Sequence, residues 1–582
     1  MKTVPSRQAG LSSLLLALFL LVGPLVHGFL FEAETWSTAI IVAVGFVFFL
    51  WMGAAPRGIL PLLLAAFLAI YTASVFYGTD HRAALTGALG ACLLLPLHSF
   101  ASVATSQMMN RLWTVFVWLL AVSVPVSVAM GRFVKGRLAG FLDYANGYAI
   151  LLLAGLIVAY SLYRTEPARH RWMPLAYFAC AGGLVLTESR TAFLFLLIVL
   201  GVLGFWNRKV SRFSWFQLAA GTSLGIIAAL TYQLSPWLPV PFAAAAVWLS
   251  VRTRDTAATR RAYAPALIAS VPLTLAVAFM SNSGLAARWS SFLSKTGEGY
   301  ARLVYAHDAW SMIRKSPIWG YGAGGWTNFQ YRYQTADYYT EYVHNHLLQL
   351  MTEVGGIGLL LYVAAFAFLI AEAVRKARLA EGDAAFAIRC RLLACFTLFF
   401  HSLTDFTFSY PYLLGLAFVL ATVPSGSGAI SPQEKIPVRK IAFTAIAAIT
   451  VAVATLLLLS SAYEGAVDKA LASGRSADAI HWLDRSARIA LFADRIHDRK
   501  ARLYYKAFLS SRDRRYLQVA ETENEKSLTA APQNIWYLKL KSDILWELGD
   551  RDTSVSLLSR LAGQNRFIQQ WQADLQSRSQ VG

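Results

Sequence analysis

The sequence predicts an all-α protein, a polytopic transmembrane helix bundle of about 12–15 spans with a C-terminal helical-repeat domain of tetratricopeptide-like type. Three observations lead there. First, 57% of the 582 residues are hydrophobic and only 14% are charged, with mean hydropathy +0.49, where soluble domains carry roughly 25% charged residues. Second, apolar runs of roughly 17–25 residues, each long enough to cross a bilayer core, recur between residues 10 and 460. Third, charges of both signs return after residue 461 and the apolar residues become periodic.

Spans are expected near 10–30, 36–53, 58–78, 84–104, 112–130, 146–163, 172–188, 191–206, 215–232, 236–250, 263–280, 346–372, 391–403, 410–424 and 441–460. They must be helical, because lipid offers no partner to an unpaired backbone group. Lys and Arg concentrate in alternate loops: Arg164, Arg169 and Arg171; Arg208, Lys209 and Arg212; Arg252, Arg254, Arg260 and Arg261; Arg375, Lys376, Arg378, Arg389 and Arg391; Lys435, Arg439 and Lys440. The positive-inside rule makes that side cytoplasmic and accounts for most of the formal net charge of +20, so nucleic acid is not an expected partner. The loop 281–345 and the C-terminal segment then face outward. Loop 131–145 breaks the rule, with Arg132, Lys135 and Arg137 on the outer side. Basic residues there signal either a bound anion or an altered span count.

The expected organisation is 1–130, N-terminal transmembrane helices; 131–425, a transmembrane core including outer loop 281–345; 426–460, a linker and last transmembrane helix; and 461–582, an extracytoplasmic helical-repeat domain. In the last, Ala470, Ala477, Ile480, Leu483 and Ile489 fit helical faces, and Leu548-Gly549-Asp550 reads as the turn of a helix pair. The four cysteines lie in or beside spans, so no disulfide framework or metal site is expected.

Polar chemistry concentrates between Pro317 and Gly358. Leu303, Ala306, Trp310 and Ile313 recur at helical spacing, giving an amphipathic helix over 299–315 that Pro317 stops. Gly320, Gly322, Gly324 and Gly325 then allow a tight turn. The GYGAGG run follows no strand and opens no expected helix, so close backbone packing or approach to a substrate, with Gly322 at its centre, is expected rather than nucleotide binding. Asn345 is a suitable N-cap for a helix starting at His346. His344 then sits at the positive end of the helix dipole, which favours a neutral, proton-accepting imidazole. His346, Gln349 and Glu353 share one helical face, and such a polar stripe heading an apolar span faces a cavity. Arg190, at membrane depth after Glu188, is either paired by that carboxylate or offers its donor fork to a phosphate. Arg302, Arg288 and Lys295 are further phosphate candidates.

SRTAFLFLL (189–197), RLVYAHDAWSMIRKSPIWGYGAGGW (302–326) and HNHLLQLMTEVGGIGLLLYV (344–363) together resemble the O-antigen ligase-like family of integral-membrane glycosyltransferases. RLAGFLDYANGYAILLL (137–153) is similar to that family's Gly-to-Asn segment, and HSLTDFTFSYPYLLGLAFVL (401–420) to its late His-Ser-x-x-Asp-Phe helix. The likeness covers roughly residues 130–425. It implies a GT-C-type bundle with no metal or other cofactor, in the bacterial cytoplasmic membrane. The implied donor is an undecaprenyl-diphosphate-linked glycan, and the acceptor is glycan, lipid or protein. His344 aligns with the family histidine, as general base or orienting group. Arg190 and Arg302 would neutralise the diphosphate. Arg288, His346, Glu353 and Gly322 are the expected substrate-binding residues, while Glu353 and Asp405 are also expected to support the site. The alternative is a transporter or flippase of lipid-linked oligosaccharide, which ordinarily shows internal repeats.

Overall fold

The computed structural model describes residues 6–53, 55–207, 212–232, 235–251, 297–424 and 438–581. Within them the chain is almost entirely helical. The membrane part contains α1 (Ser6–Val22), α2 (Glu32–Met52), α3 (Ile59–Tyr77), α4 (His81–Cys92), α5 (Leu94–Val103), α6 (Ser106–Ala129), α7 (Ala145–Thr165), α8 (Met173–Leu186), α9 (Arg190–Asn207), α10 (Arg212–Tyr232) and α11 (Pro239–Val251). It continues with α12 (Glu298–Ile313), α13 (Gly325–Tyr333), α14 (His346–Leu379), α15 (Gly382–Ser402), α16 (Pro411–Ala421) and α17 (Val438–Ala472). Among the described residues ten helical segments are long and apolar enough to cross a membrane, and four shorter apolar helices accompany them. The expected span 263–280 lies outside the described residues.

The expected spans are modified where the chain meets glycine, proline or a cap. The first helix stops at Val22 and continues as two short 3-10 turns to Phe29. The fourth span is two helices meeting at Leu93. The span expected at 391–403 starts nine residues earlier, at Gly382.

α7 is the axis of the bundle: 94% of its apolar window is buried, and it packs against α6, α8 and α15. A helix apolar all round belongs in such a position. The loops segregate into two ends. At one, Arg164 pairs with Asp383 at 2.9 Å, Lys376 donates to the Val423 carbonyl at 2.9 Å and Lys440 to that of Gly53 at 3.4 Å. At the other, hereafter the site end, the loops around 23–31, 130–144, 187–189, 297–345 and 403–410 meet through the contacts described below.

Loop 131–145 is a small hairpin of β1 (Phe133–Val134) and antiparallel β2 (Arg137–Leu138). Lys135 and Gly136 turn it with φ of 51° and 78°, the two positive values of a type I′ turn.

α14 is broken where the sequence reads Val-Gly-Gly. Gly355 has φ 64° and ψ −169°, a backbone state that side chains exclude. The break releases the Thr352 and Glu353 carbonyls, which accept the Tyr321 and Gly322 N–H groups at 2.8 Å each, while Gly356 donates to the Pro317 carbonyl at 2.8 Å. The Pro-x-x-Gly-x-Gly turn and the Gly-Gly break are therefore two halves of one joint. Irregular backbone at this depth is tolerated because each half satisfies the other. α12 covers the expected helix but ends at Ile313, before Pro317. The glycine turn does open a helix, α13, contrary to the sequence expectation, although no strand precedes it.

Beyond α17 come α18 (Ser476–Ile489), α19 (Asp494–Ser511), α20 (Arg514–Ala530), α21 (Ile535–Leu548), α22 (Arg551–Gln564) and α23 (Gln569–Val581). α17 runs unbroken across residue 460. The α21–α22 turn is at Leu548–Asp550: Gly549 takes φ 97° and Asp550 caps Thr553. Ala470 and Leu483 are buried as expected, but Ala477 is exposed and Ala479 points inward in its place.

This tail is seated on the site end. Arg82, opening α4, bridges Glu32 at 2.8 Å and Glu464 of α17. His81 stacks on Phe492 at 4.3 Å and its Nε2 meets the Ala530 carbonyl at 3.0 Å. Tyr331 of α13 meets Trp536 edge-on at 5.8 Å.

Candidate functional site

Asp405 sits just past α15, 1% exposed, at the meeting point of four separated segments. Asn146, in the first turn of α7, donates Nδ2–H to Oδ2 at 2.7 Å, and the Tyr144 hydroxyl donates to Oδ1. Arg302 of α12 donates to Oδ2 at 3.1 Å. His344 Nδ1 lies 3.3 Å from Oδ1, at ion-pair distance but off the line of a hydrogen bond. Burial alone would lift the Asp405 carboxyl. The His344 ring and the Arg302 guanidinium outweigh it and hold that carboxyl well below the usual range. Burial and the Asp405 charge push the Tyr144 phenol up, so it remains a proton donor.

His344 is fixed from several directions. It takes φ 60°, which Asn345 stabilises twice: its Oδ1 caps the Leu348 N–H at 3.1 Å and its Nδ2 donates to the Leu403 carbonyl at 2.9 Å. Phe406 meets the ring edge-on at 4.9 Å and Tyr305 lies at 5.7 Å. The negative charge of Asp405, 3.3 Å from Nδ1, favours the tautomer with the proton on Nδ1 and leaves the Nε2 lone pair for another group.

Two more cations stand beside this hub. Arg137 donates to the Thr187 carbonyl at 2.8 Å and to Asn146 Oδ1 at 2.5 Å, which connects the rule-breaking loop to Asp405 through Asn146. Arg190 opens α9 and pairs with Glu298 at 2.8 Å; its side chain is 11% exposed against 51% for Glu298. Arg288 and Lys295 lie outside the described residues.

The other expected residues belong to a neighbouring cavity of about 470 Å³. His346, Gln349 and Glu353 all line it, as their shared helical face predicts. Glu353 accepts from the Gln349 amide at 2.6 Å and from the Tyr71 hydroxyl at 2.5 Å. Gly322 does not line it: a Cβ there would meet Gly78 Cα at 2.8 Å, so this glycine serves the close approach of two backbones, while Ala323 and Gly324 face the cavity. Tyr144, Asn146 and Arg137 were not singled out individually. Their signal was the Gly-to-Asn segment and the misplaced positive charge.

Fold and site define a polytopic membrane protein with a cationic, histidine-bearing cluster at one end of its helix bundle. Residues 175–363 match the family model described as O-antigen ligase, and over that region the chain is O-antigen ligase-like. The match takes in Arg190, Arg302, His344, His346 and Glu353; Arg137, Tyr144, Asn146 and Asp405 lie beyond its ends. No curated protein matches the chain.

Proposed function

We propose that the protein transfers or polymerises a glycan from an undecaprenyl-diphosphate-linked donor onto an acceptor hydroxyl at the outer face of the bacterial cytoplasmic membrane. The observation that carries this reading is the convergence of Arg302 and His344 on buried Asp405, with Arg190 and Arg137 near them in the fold. Arginine forks suit a diphosphate. Binding one there requires Arg190 to exchange its half-exposed partner Glu298 and Arg302 to share its guanidinium with Asp405.

In the step itself, the acceptor oxygen bonds to the anomeric carbon and its proton passes to His344 Nε2. The bond from that carbon to the diphosphate oxygen breaks, and the electron pair leaves on the diphosphate. Arg190, Arg302 and Arg137 stabilise the charge that gathers there, which is where fixed donors favour a transition state over bound substrate. Asp405 holds His344 in the proton-accepting tautomer and compensates the imidazolium that forms. His344 is the catalytic base, and Asp405 positions it.

The test is reconstitution of the purified protein with lipid-linked oligosaccharide. Release of undecaprenyl diphosphate together with a new glycosidic product is expected. The His344→Ala variant should lose about 10²–10⁴-fold in rate while still binding the lipid-linked donor. Full activity in that variant rules out the base assignment. Translocation of intact donor without a glycosidic product makes the protein a flippase.

A further inference from the structure

The cavity beside the histidines differs in charge from the arginine cluster. Its lining includes the carboxylates of Glu32, Asp80, Glu341 and Glu353, and no lysine or arginine among the described residues. Three of these carboxylates already hold partners: Glu32 by Arg82, Asp80 by capping the Ala83 N–H at 2.9 Å, and Glu353 by accepting from Gln349 and Tyr71, while Glu341 stands open. At the mouth stand exposed Glu341 and Tyr339, the latter 58% exposed. At the floor the His346 Nε2 and the Tyr362 hydroxyl are buried with no hydrogen-bond partner in the protein. His346 itself is 7% exposed, and a buried polar atom left unpaired in this way signals an absent ligand or water.

We infer that this cavity is the acceptor's sugar site, taking a neutral or amine-bearing pyranose; the inference rests on the transferase reading above. A diphosphate is repelled by the carboxylates and goes to the arginines. Sugar hydroxyls donate to carboxylates, and tyrosine faces cover pyranose C–H surface. A volume of about 470 Å³ falls within the roughly 300–1,000 Å³ of small-molecule sites. The cavity is also positioned for transfer. Its wall residue Tyr342 stacks on Phe406 at 4.9 Å, and Phe406 contacts His344. One residue separates His344 from His346, so their Cα atoms are within about 7 Å. The same acidic lining excludes uronic acids and other anionic sugars.

The experiment is saturation-transfer NMR on the full chain in phosphatidylethanolamine–phosphatidylglycerol nanodiscs, with methyl glucopyranoside, glucosamine and glucuronate as probes. The first two should show binding, and glucuronate a signal weaker by about fivefold or more. Glu341→Lys, an exposed change at the mouth that spares the fold, should reduce the methyl glucopyranoside signal and raise that of glucuronate. Equal binding of all three probes, or a glucopyranoside signal indifferent to both Glu341→Lys and Tyr342→Ala, overturns the proposal. Titration with undecaprenyl diphosphate separates the two readings. Affinity kept in Glu341→Lys but lost in Arg302→Ala supports the division of substrates, and a donor arm that works while the sugar arm fails removes the acceptor cavity alone. Failure of wild type to bind undecaprenyl diphosphate removes the transferase reading and with it the acceptor assignment.

Discussion

Asp405 is acceptor-only when ionised, and it is surrounded by donors from α7, α12 and the segment before α14. A buried carboxylate is costly unless paired and hydrogen-bonded; here both conditions hold. Asp405→Asn keeps the volume but removes the charge, leaving Arg302 without its ion pair and His344 without its tautomer bias. The expected outcome is a fall in kcat of at least about 10²-fold with a smaller change in donor KM, read as steady-state release of lipid diphosphate. Unchanged kcat would contradict the positioning role. The sequence marked His344 and Arg190, because histidine next to a cap and arginine at membrane depth each need a reason, and the family resemblance added Arg302 from among the further phosphate candidates. It could not rank Asp405, since its importance lies in partners 103 and 259 residues away.

At the scale of elements, the joint between the glycine turn and broken α14 sets the geometry of the cavity lining. It fixes the entry to α14, on which His346 and Glu353 ride, and docks the turn whose Ala323 and Gly324 line the cavity. A Cβ at Gly355 would lie 2.1 Å from the Ile318 carbonyl oxygen, in a backbone state closed to side chains, whereas one at Gly356 would meet only the Pro317 oxygen, at 3.1 Å. Gly355→Ala is therefore expected to cost about 3 kcal/mol or more and Gly356→Ala distinctly less. Thermal unfolding in detergent compares them, and equal losses would show that the joint does not depend on this conformation. Helix spacing made α12 and α14 legible in advance. The joint was not, because periodicity describes one strip of chain and not the strip that packs on it.

For the whole molecule, the tail is held by a charge bridge as well as by packing. Arg82 is 16% exposed and its partner Glu464 is 8% exposed, so the pair is largely removed from water. Breaking such a pair by removing one partner costs about 3–5 kcal/mol, because a charge is left buried alone. Arg82→Gln should loosen the seat of the tail and raise hydrogen exchange around Asn534–Tyr537, where Trp536 meets Tyr331. Exchange equal to wild type would show that apolar contacts suffice. Asp80, beside Arg82, lines both the sugar-sized cavity and the groove under the tail, so the seat of the tail and the rim of the cavity share a residue.

Hydropathy, charge asymmetry and local caps by themselves determined the helical membrane bundle and the polar stretch 317–358, because each depends on neighbours within a turn or on the bilayer, while the preference for His344 over His346 came from the family resemblance. Tertiary structure alone decided that Asp405 is the hub on which Arg302 and His344 meet, that Gly322 serves packing, and that the neighbouring cavity is lined by carboxylates with no lysine or arginine among the described residues. Those facts depend on distances between helices far apart in the chain, and the sequence order of the spans carries no such distances.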